Sequence, residues 1–215
     1  MFNSRFYVVI LFVVLISTGC VSQHVSRKTP EWYRLGTKMI YDVKFRGKSY
    51  DFIVTLKKLS PELQFDWIMM EPVNKTGSIT ISPYALENAY GQVNYLPEGE
   101  LKLDSATCIL LSKKAFAELI GENYIVMNPY AGLFKRKIFF QLPEKSQMKV
   151  KIDGKEEAVD VINVKEKVIN EEEEAGLRKY TILNNSEAPL LFHVLLDTED
   201  VFLGLEVKIR EIKTK

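Results

Sequence analysis

Apolar and polar residues alternate along the chain from Lys38 onward, and this alternation predicts β-strands. The first stretch separates an apolar face from a charged face and is interrupted only at Ile40. Two further stretches repeat the pattern, with the apolar sets Tyr50, Phe52, Val54 and Leu56, and Leu63, Phe65, Trp67 and Met69. Because the connections at Arg46–Lys48 and Ser60–Pro61 are too short for a parallel crossover, we expect an antiparallel meander.

Two later segments carry helix start and stop signals. Ser82 can cap a short helix that has Pro83 at its first position and ends at Gly91. Ser112 can cap a second helix that ends at Gly121 and has an apolar side. Two short helices beside a large sheet are expected to cover it.

The second half of the chain returns to strand patterns. Asp153-Gly154 lies between two alternating segments and is the strongest hairpin signal in the sequence. Further strands are predicted within 77–81, 133–142, 177–183, 188–196 and 202–212. The predicted fold is therefore mainly β, of the α+β class: a curved antiparallel sheet or half-barrel with two short covering helices.

An unbroken apolar run extends from Phe6 to Ile16, near the amino terminus. About eleven residues in a helix rise roughly 17 Å, which is well short of the ~30 Å hydrocarbon core of a bilayer. Arg5 precedes the run, and small or hydroxylated residues follow it. This order favours a secretory signal peptide over residues 1–19 rather than a membrane span.

Thr18 and Gly19 directly precede Cys20, although Ser17 stands where leucine is most usual. The segment from Met1 to Cys20 resembles the lipobox of bacterial lipoprotein precursors. The resemblance implies that Cys20 is diacylated before the signal peptide is cleaved. An ordinary signal peptide cut near Gly19 and an uncleaved anchor are the alternative interpretations.

Lipid on Cys20 would attach the chain to a membrane without a transmembrane helix, since two or three acyl chains suffice for stable anchoring. Val21 stands where lipoproteins retained in the inner membrane commonly carry aspartate. The resemblance therefore implies an outer-membrane location facing the periplasm. Residues 20–29 are predicted to be a lipidated tether, and residues 30–215 a single β-rich domain.

Charge excludes one class of partner. Without residues 1–19 the Lys and Arg count falls from 29 to 28 through the loss of Arg5, and equals the 28 Asp and Glu. A net charge of zero without a basic stripe predicts no binding of nucleic acid. If Cys20 is acylated, Cys108 has no partner for an intramolecular disulfide, and we expect it to be a small core residue, a reactive thiol being the alternative.

Motifs of catalysis and metal binding are nearly absent. Ser146 and Lys149 have Ser-x-x-Lys spacing and Lys75 begins a Lys-Thr-Gly triplet, but their order is the reverse of that in penicillin-binding enzymes. The pair Cys108 and His193 could form a dyad. The acidic run Glu171–Glu174 is typical of a solvated loop, with calcium binding as its alternative. We expect no catalytic residues, no metal site and no cofactor.

The order of strands and helices resembles half-barrel lipoproteins that receive or carry lipidated cargo at the outer membrane. The segments LSKKAF and YTILNNSEAPLLF, with the Asp-Gly hairpin between them, resemble uncharacterised β-rich lipid-anchored or secreted bacterial proteins. Phe52, Phe65 and Trp67 would then line an apolar site or simply fill the core.

The predicted function is a membrane-anchored, non-catalytic envelope lipoprotein. It would act as a scaffold, or as a binder or carrier of an apolar ligand or lipidated cargo. The predicted partners are the membrane, reached through acylated Cys20, and a lipid or an envelope protein. The alternative is an envelope hydrolase with an unrecognised site.

Overall fold

A computed structural model describes residues 25–26, 28–45, 47–70, 74–93, 96–129, 138–168, 178–196 and 204–214. Within these ranges the chain forms thirteen strands and two helices. The elements are β1 Lys38–Phe45, β2 Lys48–Lys58, β3 Leu63–Met69, β4 Lys75–Ile81, α1 Pro83–Asn88, β5 Gly91–Gln92, β6 Gly99–Leu103, β7 Ala106–Thr107, α2 Lys113–Glu122, β8 Tyr124–Pro129, β9 Ile138–Ile152, β10 Lys155–Val168, β11 Arg178–Leu183, β12 Leu191–Leu196 and β13 Leu205–Lys213. The fold is mainly β with two short helices, which confirms the predicted fold class.

One sheet carries these strands in the order β6-β4-β3-β2-β1-β13-β12-β11-β10-β9-β8-β5-β7. The meander of β1, β2 and β3 is antiparallel, as predicted, and β4 extends it. The pairings of β6 with β4 and of β5 with β7 and β8 are parallel. The short strands β5, β6, β7 and β8 were not expected from the sequence.

The sheet curls until two of its strands meet. Glu211 and Ile212 of β13 pair in parallel with Lys151 and Ile152 of β9. This contact closes β9, β10, β11, β12 and β13 into a five-stranded barrel. Closure covers backbone groups that an open half-barrel would leave unpaired at an edge.

The local signals behave as the sequence predicts in most places. Ser82 and Ser112 cap the two helices through their side-chain oxygens, which accept from the N–H groups of Ala85 and Ala115. The expected end of α1 at Gly91 is wrong, because the helix ends at Asn88 and the chain is already extended at the next residue. The Asp-Gly hairpin is confirmed: both residues have positive φ and connect β9 to β10.

Two apolar clusters form the interior. Cluster 1 joins β1–β4 to α1 and to one set of barrel side chains, with Met39, Val54, Phe65, Trp67 and Ile81 at its centre. Cluster 2 joins α2 to β8 and to the opposite faces of β10 and β11, with Phe116, Leu119, Ile162, Tyr180 and Ile182 at its centre. The two short helices therefore cover apolar surface, as expected.

The strand ends gather at two ends of the sheet. We call the end that contains Lys38, Lys58, Ile81 and Lys213 the tether end, because the amino-terminal segment joins the sheet there. The opposite, distal end contains Phe45 and Lys48. Since β1 has eight residues and a strand rises about 3.3 Å per residue, the two ends lie roughly 23 Å apart.

Candidate functional site

A surface cleft of about 400 Å³ lies at the tether end, between the loops that follow and precede the strands. Its volume falls in the range of roughly 300–1,000 Å³ that is typical of small-molecule sites. Nine of its fourteen lining residues are apolar: Tyr33, Leu59, Pro61, Leu63, Pro83, Leu86, Leu110, Leu111 and Pro189. We call this site the tether-end cleft.

The floor of the cleft lies where the two clusters meet. Leu63 and Leu110 belong to cluster 1, and Leu111 belongs to cluster 2. All three are almost completely buried. The walls are built from loops: Leu59 and Pro61 connect β2 to β3, and Pro61 follows a cis peptide bond. The floor therefore combines the start of β3 with the segment between β7 and α2, and loops together with α1 surround the space above it.

Charged side chains occupy one side of the cleft. Lys113 lies between two carboxylates, with its Nζ 2.7 Å from Glu187 and 3.8 Å from Glu87. The hydrogen bond to Glu187 is the main cause of a raised pKa at Lys113, which keeps the ammonium group protonated. One positive charge and two negative charges leave this rim acidic. Such a rim offers polar contacts beside an apolar wall, as sites for amphiphilic molecules do.

The amino-terminal segment forms part of the cleft and is fastened to the domain. Ser26 pairs in parallel with Asn185, and the N–H of Ser186 donates to the carbonyl of Ser26 at 3.0 Å. Val25 packs against cluster 2. Thr29 and Tyr33 then line the cleft. The predicted tether over residues 20–29 is thus docked on the domain at its carboxyl-terminal end.

Asn185 connects this docked segment to the cleft wall. Its side-chain Nδ2 donates to the carbonyl of Lys28 at 2.8 Å, next to Thr29. Its Oδ1 accepts from the N–H groups of Glu187 and Ala188, both at 3.0 Å. The side chain is buried, and its bond to Ala188 is shielded from water. One amide therefore holds both the tether and the loop that carries Glu187.

Tyr33 is the aromatic residue of the cleft. Its ring meets Trp32 edge-on, with 6.2 Å between the ring centroids. Burial raises the pKa of Tyr33 to about 12, so the phenol stays neutral at ordinary pH. Its ring adds apolar surface to that of the leucine and proline side chains of the cleft.

Phe52, Phe65 and Trp67 fill the core instead of lining the cleft. They are 7%, 0% and 1% exposed and belong to cluster 1. Phe52 packs between Tyr41 and Trp67, with ring centroids 5.9 and 6.2 Å away. Of the two hypotheses for these three residues, the structure supports the filled core.

Gly77 explains how the Trp67 indole fits. Gly77 lies directly opposite Trp67 in the register of β3 and β4. A Cβ atom at Gly77 would lie 2.7 Å from the indole Nε1 and 2.7 Å from the carbonyl oxygen of Gly99. The ring thus occupies the space that a side chain would take, as aromatic residues do over sheet glycines. The indole N–H has no hydrogen-bond partner among the described residues.

The proposed Cys108 and His193 dyad has no support in the contacts of either residue. Cys108 is buried, and burial raises the pKa of its thiol to about 12. Cys108 belongs to apolar cluster 1. His193 places its Nε2 3.2 Å from Glu206, which also accepts from Lys44 at 2.9 Å. Cys108 is therefore the small core residue that the sequence predicts.

The remaining motif residues are engaged separately. Ser146 accepts from the Nδ2 of Asn163 at 2.7 Å, and Lys149 lies 3.9 Å from Glu156. Lys75 lies on β4, whereas Ser146 lies on β9. The four strands β3, β2, β1 and β13 lie between them. The Ser-x-x-Lys and Lys-Thr-Gly elements thus do not meet.

Several predicted features lie outside the described residues: the signal peptide over residues 1–19, the lipid-attachment residue Cys20, Val21 and the acidic run Glu171–Glu174. Within the described part of the chain, no group of three or more His, Cys, Asp and Glu side chains is placed to hold a metal ion. In the same part, no helix combines the length and hydropathy that crossing a bilayer requires.

A band of polar side chains on the barrel was not expected from the sequence. It starts at Ser146 on β9 and continues through Asn163 on β10 to Thr181 on β11, whose Oγ1 donates to Asn163 at 2.9 Å. His193 on β12 is the register partner of Thr181 and continues the band to Glu206. The alternation of each strand predicts a polar face, but only the register brings these residues together.

Comparison with known proteins gives similarity to two solved structures. The sequence matches no established protein family and no curated protein. A provisionally assigned lipoprotein from Parabacteroides distasonis ATCC 8503 is 12% identical over 89% of this chain and 100% of its own, with a TM-score of 0.40. A provisionally assigned exported protein with a YmcC-like fold from Bacteroides fragilis NCTC 9343 is 9% identical over 88% and 98%, with a TM-score of 0.37. Neither similarity carries a function to this chain.

Proposed function

We propose that this protein is a lipid-anchored component of the bacterial cell envelope that binds an apolar ligand in the tether-end cleft and catalyses no reaction. The observation that carries the proposal is a cleft of mixed apolar and polar lining, built partly by the segment that follows Cys20. The anchor itself rests on the lipobox resemblance of residues 1–20, and the placement in the outer membrane, facing the periplasm, on Val21.

The shape and chemistry of the cleft support an amphiphile as ligand. Its floor and most of its walls are leucine and proline, which favour an acyl chain through the hydrophobic effect. The polar groups Glu87, Lys113 and Glu187 lie together and can bind a headgroup. The ligand class is a lipid or the lipidated part of another envelope protein.

The non-catalytic part of the proposal is supported by the state of the candidate nucleophile. A thiolate is the reactive form of cysteine, and a pKa near 12 leaves the Cys108 thiol protonated at neutral pH. Native Cys20→Ser protein should therefore resist alkylation by iodoacetamide at pH 8 and react only after unfolding in urea. Rapid alkylation of the native variant would reopen the hydrolase alternative, to be tested with ester, peptide and glycan substrates.

Binding is tested by displacement of a fluorescent fatty acid from the purified mature protein. Leu59→Glu places a charge in the cleft wall and should abolish saturable binding. Ile68→Glu is the matched control, because Ile68 is 40% exposed on β3 and does not line the cleft. Equal binding by the two variants would contradict the cleft as the ligand site.

Anchoring is tested separately in cells. Cys20→Ser should abolish incorporation of labelled palmitate and leave the precursor unprocessed. Normal processing of this variant would contradict the lipobox. The result of the binding experiment does not depend on this outcome.

A further inference from the structure

We infer that the tether end is a membrane-contact surface, so that the tether-end cleft opens toward the lipid bilayer. This inference rests on the proposed lipidation of Cys20 and goes beyond it by giving the domain one orientation. The partner is the lipid surface of the membrane that holds the anchor. Two observations carry the inference: the docked segment with the short length of chain before it, and the position of the most exposed apolar residues.

The docked segment limits how far from the tether end the lipid anchor can lie. Val25 and Ser26 are held by cluster 2 and by the pairing with Asn185, at the end of β11. Cys20 precedes Val25 by five residues, and an extended chain spans at most about 3.6 Å per residue, or roughly 18 Å in all. The distal end is about 23 Å further along the sheet. A lipid on Cys20 therefore lies within roughly 18 Å of the docked segment and cannot reach beyond the distal end.

The most exposed large apolar side chains of the described residues lie at the same end. Tyr84 is 65% exposed and Leu35 is 62% exposed. Tyr84 lies on α1, which follows the tether end of β4, and Leu35 lies three residues before β1. Tyrosine is enriched at membrane interfaces, where its ring meets the apolar region and its hydroxyl remains in water.

Both residues are neighbours of the cleft in sequence. Tyr84 follows Pro83, and Leu35 lies two residues after Tyr33, and both Pro83 and Tyr33 line the cleft. Shallow insertion of Tyr84 and Leu35 among the headgroups would therefore bring the cleft mouth to the lipid surface. An amphiphile could then pass between bilayer and cleft without crossing water.

The chain allows a sharp test with single cysteines. In the acylated protein the thiol of Cys20 is occupied and Cys108 is buried, so an introduced cysteine is the reactive one among the described residues. Leu35→Cys and Ile68→Cys would each be labelled with an environment-sensitive dye on the full mature protein in vesicles of phosphatidylethanolamine and phosphatidylglycerol. We expect a blue shift and strong quenching by nitroxide lipids at residue 35, and neither at residue 68.

A second measurement uses two tyrosines and needs no cysteine. A photoreactive phenylalanine at Tyr84 should crosslink to lipid several-fold more than the same group at Tyr124, which is 51% exposed on β8. The inference is overturned if lipid contact is equal at residues 35 and 68 and equal at residues 84 and 124. It is also overturned if residue 84 crosslinks to a protein instead of lipid. Mass spectrometry of the Cys20 peptide separates the two proposals, because a missing acyl group contradicts the anchor itself.

Discussion

The two apolar regions of this protein differ in whether side chains fill them. Along β1–β4, the rings of Tyr41, Phe52 and Trp67 pack in succession, and the last ring lies over Gly77. At the tether end, the leucines of the floor are buried, but Leu59 and Leu86 beside them are only partly covered, and about 400 Å³ stays open. Strands that pair along their length bring side chains into contact, whereas the loops at their ends are free to leave a cleft.

The difference also bears on the proposed ligand binding. A filled core responds to mutation through stability, because lost contacts cost free energy of unfolding. A cleft wall responds through affinity, because its side chains are already partly in water. Variants in the two regions should therefore separate stability from binding.

The largest expected effect is on the filled core. Trp67→Ala should lower the free energy of unfolding by about 3–5 kcal/mol, because it leaves a large cavity among buried rings. Urea unfolding measures this change, with Ile68→Ala on the opposite, partly exposed face as the control. A loss below about 1 kcal/mol, the scale of an ordinary surface or conservative change, would mean that the indole is not part of a packed core.

Asn185→Ala should affect both regions at once. The buried N–H of Ala188 and the part-buried N–H of Glu187 lose their acceptor, and the tether loses its bond at Lys28, which should cost about 2–3 kcal/mol. Affinity for the fluorescent fatty acid should fall as well, because the loop with Glu187 loses its support. Asn88→Ala is the control, since that exposed amide makes one long bond to Tyr84. Unchanged affinity would show that ligand binding in the cleft does not depend on the bonds that Asn185 makes to the tether and the Glu187 loop.

Gly77→Ala tests the close contact beneath the indole. A methyl group 2.7 Å from both the Gly99 carbonyl and the ring should cost about 1–3 kcal/mol. Gly121→Ala in α2 is the matched control, because nothing lies within 4 Å of its Cβ position and alanine favours a helix. Equal stability of the two variants would contradict a close contact between Gly77 and the Trp67 indole. Ligand affinity should stay unchanged in each variant.

The smallest expected effect is the pH dependence of stability that arises from His193 on the barrel. Burial lowers the pKa of His193 below its ordinary 6.5, and Glu206 opposes part of this shift. As the pH falls through about 6.5, the unfolded chain binds a proton that the folded state binds less readily, so stability decreases. Lys44 holds the pKa of Glu206 below its usual range, so its contribution is lost only at more acidic pH.

His193→Gln should flatten the decrease in stability between pH 7 and pH 5, and unfolding in urea across this range measures it. Affinity for a ligand in the cleft should not follow the same curve. A pH dependence of stability identical in His193→Gln and the unaltered protein would contradict the assignment to this imidazole.

Local patterns predict those parts of the fold that local chemistry determines. Alternation gives β1, β2 and β3, and hydroxyl caps give the starts of both helices. The interruption of alternation at Ile40 also has a structural counterpart. The register of β1 against β13 shifts after Ile40, leaving Arg210 as the extra residue, and Arg210 binds Asp42 and Asp51.

Local sequence patterns do not predict pairing between strands that are distant in the chain. The strands β5 and β7 have two residues each, too few for a period of two to be recognised. Barrel closure depends on two residue pairs between β9 and β13, which are distant in sequence. The cleft combines residues from five parts of the chain, and three of these parts share only a proline as a local signal, at Pro61, Pro83 and Pro189.

Native mass spectrometry of the mature protein, after incubation with an extract of envelope lipids, tests the central claim most directly. The account predicts one bound lipid per chain in the unaltered protein and in Ile68→Glu, and none in Leu59→Glu. A chain without lipid under all conditions, or a lipid that persists in Leu59→Glu, would contradict the tether-end cleft as a ligand site.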